Sequence, residues 1–296
     1  MLIRAIGKTI GNTVLYPAEQ PIPKTPKDYG IDYKDVKFPA HDRVQLAGWL
    51  LNENGEKVII MNHFGYRANR YGYQVKYQPM LTRPYKHDIE FVKVAKRLTD
   101  AGYAVLMYDL RNHGESGKSK LGVGTGGVDE GNDVLGAVRF IAHNESSTQG
   151  KPIGLLSYCM GANATFYAQG MDPELFSCSN VKALVAIQPL TNGEFLRSYG
   201  IKGRIFKHVE AHYKKHTGIS LDHPILDCVA KVVTPTLLVQ SRKDPWTNLG
   251  FINDVFSALP VEKEMKWLEE PTHRFDGYNW FGDRPEDMLS WFYTYL

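Results

Sequence analysis

Cysteine is scarce in this 296-residue chain, with Cys159, Cys178 and Cys228 its only thiols. Three thiols cannot all pair within one chain, and no two stand in a C-x-x-C spacing. Neither a disulfide framework nor a zinc ribbon is expected, and a metal site is not proposed. That usage suits a reducing setting, so the expected location is cytoplasmic. Excess charge of one sign is lacking too. Lys and Arg number 35 against 32 Asp and Glu, a formal net charge of +3, whereas nucleic-acid binding calls for a clustered and stronger basic footprint. No stretch is apolar for long enough to form a transmembrane segment. Repeats and low-complexity tracts are also missing, and nothing divides the chain, so residues 1–296 are expected to form a single domain.

The opening MLIRAIGKTIGNTVLYP lacks the form of a secretion signal, because Arg4, Gly7 and Lys8 interrupt its apolar residues and no small-residue cleavage site follows. Leu2, Ile6, Ile10 and Val14 recur every four residues, the spacing of one helix face. A helix packed on its own domain is expected, with an interfacial anchor or a dimer contact as the alternative. The Pro-rich PAEQPIPKTPKDYG should then wrap the surface.

What the chain does have is alternation. YKDVKFPA and VQLAGWLLN read as an antiparallel pair at a sheet edge, and KVIIMN as a strand buried on both faces. Apolar strands and amphipathic helices then take turns: a helix from 88, a strand at YAVLMYD, a helix from 131, a strand at KPIGLLSY, a helix from 161. Further strands follow at VKALVAIQPL, TPTLLVQS and EMKWLEE, with a helix at GFINDVFSAL and another at the C-terminus. Such βαβ units predict an α/β fold: a mostly parallel sheet with helices on both faces. Two segments interrupt the pattern. One is the Tyr-rich stretch 71–88. The other, residues 191–228, is expected to form a short, partly helical cap over the carboxyl ends of the strands, where such folds keep their sites.

One cysteine stands where the strand KPIGLLSY turns directly into a helix. In SYCMGA, Cys159 is flanked by small residues, Ser157 before it and Gly161 and Ala162 after it. Small-x-nucleophile-x-Gly is the nucleophile-elbow pattern, in which a tight turn lifts the reactive side chain above the sheet. The same turn aims the Met160 N–H, at a helix N-terminus that favours negative charge, into that space. A plain buried cysteine is the competing reading. The partners follow in the order this turn requires. Asp244 ends the strand TPTLLVQS, and His273 lies in the loop after EMKWLEE. In the expected triad Cys159 attacks, His273 moves the proton, and Asp244 fixes and balances the imidazole. Asp254 and Asp276 are fallback acids. A second oxyanion donor is expected at the Phe64 backbone in NHFGYRANR, with Gly65, Tyr66 and Tyr158 as substrate-binding residues. His208, His212, His216 and His223 are expected on the surface of the cap.

Over nearly its whole length the chain resembles the α/β-hydrolase superfamily. VIIMNHFG resembles its oxyanion strand and loop, and YAVLMYDLRNHGESG its Asp-x-Arg-x-His-Gly-x-Ser stretch. In the latter, Asp109, Arg111, His113, Gly114 and Ser116 are expected to be structural. SYCMGA, SRKDPWTN and PTHRF fill the triad positions. The plan is similar to single-domain bacterial hydrolases. The departure is the nucleophile: Cys replaces the usual Ser, as in dienelactone hydrolases and some thioesterase domains. The resemblance therefore implies a cysteine-dependent acyl hydrolase acting on an ester, thioester or lactone, with no cofactor. Its partner would be a small-molecule acyl substrate, and the basic cap could draw one carried on coenzyme A or a phosphopantetheine carrier. Acyl transfer or cyclisation through the same acyl-enzyme is the second reading, helped by a dry pocket built from Phe195, Tyr199 and Phe206. A non-catalytic binding protein on the same fold is the third.

Overall fold

Residues Val58–Asn62, Ala104–Tyr108 and Ile153–Tyr158 are buried at every position. A strand with no wet face needs cover on both sides, and that requirement organises the molecule. The computed structural model describes residues 2–16, 19–77 and 87–296. Its strands are β1 (Tyr33–Pro39), β2 (Gln45–Leu51), β3 (Val58–Asn62), the short β4 (Gly72–Tyr73) and β5 (Ile89–Glu90), β6 (Ala104–Tyr108), β7 (Ile153–Tyr158), β8 (Val181–Ile187), β9 (Thr236–Ser241) and β10 (Lys263–Leu268). The main sheet has 8 strands in the order β1-β2-β6-β3-β7-β8-β9-β10. β1 pairs antiparallel with β2, and β2 with β6. Every other pairing in the sheet is parallel. The antiparallel pair therefore forms one edge, as its alternation implied, while β4 and β5 pair separately.

The helices are α1 (Leu2–Leu15), α2 (Phe91–Asp100), α3 (Gly131–Arg139), α4 (Met160–Met171), α5 (Pro173–Cys178), α6 (Asn192–Ser198), α7 (Gly203–Thr217), α8 (Ile225–Val229), α9 (Leu249–Ala258), α10 (Arg274–Asp283) and α11 (Glu286–Tyr295). Successive strand residues face opposite sides, so Ile60, Leu106 and Leu155 join one core with α3, α4 and α9. Ile59, Met61, Val105 and Leu156 join the other with α2, α10 and α11. Burial of these side chains, at about 25 cal/mol per Å² of apolar surface, holds both layers to the sheet.

Residues 191–235, between β8 and β9, carry α6, α7 and α8. Leu196, Val209, Tyr213 and Leu221 of this insertion form a third, smaller core with Leu15 of α1 and Val123. Helix α1 thus packs on its own chain, but by only part of the face its periodicity suggested: Ile10 and Val14 are half-buried against this core. Gly7, Gly11 and Leu15 are buried, whereas Leu2 and Ile6 are exposed. The reason is close approach: a Cβ at Gly7 would lie 2.6 Å from His208 Cβ, and one at Gly11 2.8 Å from the His212 ring. Of the Tyr-rich stretch 71–88, residues 78–86 lie outside the described residues, as do 17–18 of the Pro-rich segment. Among the described residues no helix is long and apolar enough to cross a membrane.

Candidate active site

Strand β7 ends at Tyr158 and α4 begins at Met160, leaving one residue for the reversal. Cys159 makes it at φ 50° and ψ −108°. Such a conformation costs a non-glycine residue about 1–3 kcal/mol and persists only where its surroundings enforce it. Here they do. The Cys159 N–H donates to the Ile187 carbonyl at 2.8 Å, and its carbonyl accepts the Asn163 N–H at 3.0 Å. Gly161 lets α4 close onto β3, because a Cβ there would lie 2.4 Å from the Asn62 carbonyl oxygen. Ser157, where the superfamily has glycine, joins a buried network: Asn62 Nδ2 donates to Ser157 Oγ at 2.9 Å, which in turn meets Thr165 Oγ1 at 2.8 Å. Cys159 itself is half-buried and free of any disulfide.

Two backbone N–H groups adjoin this turn. Met160 opens α4, and the first N–H groups of a helix have no partner within it. Phe64 follows β3, and among the described residues its N–H meets no backbone carbonyl. The loop that carries it is pinned from below. His63 is buried and its pKa is pushed down to about 3, chiefly by burial and then by His113, so its ring is neutral. Its Nε2 accepts the Leu110 N–H at 2.9 Å, which leaves Nδ1–H to donate to the Phe64 carbonyl at 2.7 Å. His113 Nε2 meets the Gly65 carbonyl at 2.7 Å. The Asp-x-Arg-x-His-Gly-x-Ser residues spend their polar groups on the scaffold. Asp109 accepts from Arg70 and from the Glu115 N–H, Arg111 donates to Asp133 and Asp42, and Ser116 Oγ donates to the Asp109 carbonyl.

On the other side of the site the charges are arranged differently from the expectation. Asp244 is buried at the end of β9, but no hydrogen bond joins it to His273. Its carboxylate accepts Arg274 Nη1 at 2.5 Å, Thr247 Oγ1 at 2.7 Å, the Trp246 N–H at 2.9 Å and Gln240 Nε2 at 3.1 Å. Burial alone would raise its pKa, but Arg274 and these donors outweigh burial and hold the carboxyl below its ordinary value. His273 is the N-cap of α10, with its Nδ1 facing the Phe275 N–H at 3.2 Å. Asp276, three residues on, accepts the His273 backbone N–H at 3.1 Å. Burial lowers the imidazole pKa, while the charges of Asp276 and then Asp244 act in the opposite direction.

The residue that turns inward is Arg274, fully buried. Besides Asp244 and Thr247, its Nε donates to Tyr278 Oη at 2.5 Å and its Nη2 to the Gln188 carbonyl. Gln188 lies at the end of β8 with φ 50°, and its side-chain amide donates to the Arg274 carbonyl at 2.8 Å. Two strained residues, Cys159 and Gln188, therefore end adjacent strands. The Tyr278 ring stacks on Phe64 (4.8 Å between centroids) and meets Tyr158 edge-on at 5.9 Å. Burial raises the Tyr278 pKa well above its usual value, Arg274 opposes this, and the nearby Cys159 sulfur adds to the rise. Arg274 in turn feels Tyr278, Asp244 and Cys159, which outweigh the effect of its burial.

Residue-level reading missed α10 and so missed Arg274 and Tyr278. The signal was there: the two are four apart and so share one helix face, and Asp276 stands three after the capping His273. Other expectations need correction. Tyr158 is fully buried against Phe91 and Tyr278, because it is an inward strand residue, and so presents no surface to a substrate. Tyr66 and Gly65 are half-buried at the site margin. Phe195 and Tyr199 reach Trp246 at 5.2 and 5.9 Å, and Trp246 meets His273 at 5.4 Å. Phe206 instead lies under Arg197, in the small third core. His223 is buried, not superficial, and bonds to Tyr167.

Comparison with known proteins agrees with this architecture. A family model described as serine aminopeptidase, S33, matches residues 85–197, which include the Cys159 turn but neither Asp244 nor His273. The chain is similar to the Pyrococcus furiosus esterase Pf2001, at 24% identity over 93% of this chain and 95% of that one, with a TM-score of 0.66. It is similar to a dienelactone hydrolase from Anabaena variabilis, at 19% identity over 90% and 99%, TM-score 0.52. It also resembles the esterase domain of a Rhodothermus marinus protein, at 17% identity over 89% and 99%, TM-score 0.54. No curated protein matches the sequence. At these identities the likeness is one of fold, and the fold is that of the α/β-hydrolases.

Proposed function

We propose that this protein is a hydrolase of ester-type bonds that works through a covalent acyl-Cys159 intermediate. The observation that carries the reading is the single-residue reversal at Cys159, held at positive φ between a buried strand and a helix N-terminus. The partial match to a hydrolase family and the esterase and dienelactone hydrolase neighbours support the reaction class. Cysteine in place of serine favours thioesters and lactones over peptides, since the tetrahedral adduct expels a thiolate more readily than an amine and so returns a peptide unchanged.

In this reading the Cys159 sulfur adds to the acyl carbon, and its proton passes to His273. The Met160 and Phe64 N–H groups receive the oxyanion. The carbon–heteroatom bond then breaks, and His273 returns the proton to the leaving group. Water, deprotonated by His273, attacks the thioester, the carbon–sulfur bond breaks, and His273 returns the proton to the departing Cys159 sulfur. Asp244 acts on His273 through its charge, and its hydrogen bonds hold Arg274. Arg274 holds Tyr278, whose hydroxyl donates to the sulfur and supports its negative charge. The segment 191–228 serves as a cap, and Phe195 and Tyr199 set an aromatic wall beside Trp246 and His273. That wall favours a second outcome, capture of the acyl group by an amine or alcohol once water is kept out.

Turnover of a panel of acyl thioesters, oxygen esters and lactones, with and without an added amine or alcohol, tests both. Free acid as the product supports hydrolysis, and acylated nucleophile supports transfer. Tight binding of panel members with no product from any of them would favour a binding protein and contradict the proposal.

A further inference from the structure

Strand β10 ends the main sheet at the side away from β1, and among the described residues no strand pairs with its outer edge. Its register with β9 runs unbroken from Lys263 to Leu268, without a bulge. The Thr236 N–H donates to the Glu262 carbonyl and the Arg242 N–H to the Leu268 carbonyl, each at 2.9 Å. Backbone groups alternate in direction along a strand, so Glu264 and Lys266 also turn theirs to β9. Lys263, Met265 and Trp267 turn their N–H and C=O groups outward. Among the described residues none of these groups has a backbone partner.

A bare edge is normally blunted by charge, by a bulge or by a covering element. Helix α11 does not cover this one. It packs chiefly on β8, two strands or about 10 Å further in. A groove of about 320 Å³ is left beside β10, lined by Glu264, Lys266, Asp287 and Ser290. Glu264 and Lys266 share this face of the strand: Lys266 Nζ meets Asp287 of α11 at 2.8 Å, and Leu268 joins the core on the same side. Glu264 is exposed and among the described residues forms no ion pair. The edge is therefore charged, but with both signs one residue apart.

We propose that β10 is a pairing edge for a second copy of this chain, antiparallel and in register about Met265, so that two sheets become one. A twofold axis through Met265 sets that residue opposite its own copy and Lys263 opposite the partner's Trp267. These are the outward residues, so each facing pair exchanges two N–H···O=C bonds. Glu264 then faces the partner's Lys266, and Lys266 the partner's Glu264, at the closely spaced positions between those bonds, where side chains interact most. Other registers lose this match. A twofold at Lys263, Glu264 or Lys266 sets that charge against its own copy, and one at Trp267 sets Glu264 against the partner's Glu270. The contact uses the same patch on both chains and so closes at a dimer.

The test is analytical ultracentrifugation of the full chain over a range of concentrations, where the native protein is expected to dimerise. Glu264→Lys and Lys266→Glu each set like charges against one another at both pairs and should weaken the dimer roughly a hundredfold. An equimolar mixture of these two variants should restore association to within about tenfold of native, because two lysines then face two glutamates. Met265→Pro removes an outward N–H that β9 does not use, which an edge strand tolerates. It should give a monomer that circular dichroism shows to be folded. A native chain that stays monomeric at every concentration overturns the proposal. So does a dimer that survives both Glu264→Lys and Met265→Pro, since it must form elsewhere. Single charge variants that dissociate but do not associate when mixed would refute the register, and with it the proposal.

Discussion

The two sides of the candidate site are built on different principles. Around Cys159 the backbone does the work: a reversal at positive φ, a glycine where helix meets strand, and N–H groups at a helix start and a loop. Around Asp244 and His273 the side chains do it, and buried charge decides which of them meet. Asp244 is committed to Arg274 in a fully buried ion pair, while His273 caps a helix and lies against Trp246. A backbone device leaves a local trace in sequence, because only small residues fit. A charge pair between residues thirty apart leaves none, since an aspartate at a strand end reads the same whichever cation it holds.

If the backbone side carries the chemistry, its loss is the most damaging change. Cys159→Ala should lower turnover of the best substrate by about a thousandfold or more, with little change in folding, as kinetics and thermal unfolding would show. The charged side should respond first in stability. Asp244→Ala leaves Arg274 buried and unpaired, at an expected loss of about 3–5 kcal/mol in denaturant unfolding. His273→Ala, at a half-buried cap, should cost about 1 kcal/mol. Equal and small losses for the two would refute the role given to the Asp244–Arg274 pair.

A pH effect separates the sides further. His63 beneath the oxyanion loop has a native pKa of about 3 against an unfolded value near ~6.5. Its depressed native value means the unfolded chain binds the extra proton as pH falls. Stability from this group is therefore full above about pH 6.5 and is lost towards about pH 3. It should amount to about 2 kcal/mol between about pH 7 and about pH 5. Denaturation at several pH values, native against His63→Gln, should show the flatter slope in the variant. The smallest effect is expected where the sides meet. Tyr278→Phe keeps the ring on Phe64 and removes one hydroxyl, and should slow alkylation of Cys159 by iodoacetamide about tenfold at neutral pH. An unchanged rate would deny the hydroxyl its proposed support of the sulfur.

Much of the fold was legible because its signals are periodic. The apolar runs at 58–62, 104–108 and 153–158 are strands buried on both faces, and the alternating pair at 33–51 is the antiparallel edge. Cys159 was legible through its small neighbours. Helix α10 was not, because its mixed surface, with Arg274, Phe275 and Tyr278 all buried, has no single apolar stripe. The buried face of α1 was legible only in part, for a related reason. Ile10 and Val14 pack as their spacing implied, but the close contact with α7 is made by two glycines, and a pattern of large apolar residues cannot report a surface defined by the lack of side chains.

The central claim is that Cys159 carries the acyl group. The most direct measurement is intact-mass and peptide mass spectrometry after brief exposure to an acyl thioester, for the native chain and Cys159→Ala. The account predicts one acyl addition on the native chain, located on the peptide containing Cys159, removed by hydroxylamine and missing from the variant. An addition that survives Cys159→Ala, or turnover of the substrate by that variant at the native rate, would contradict it.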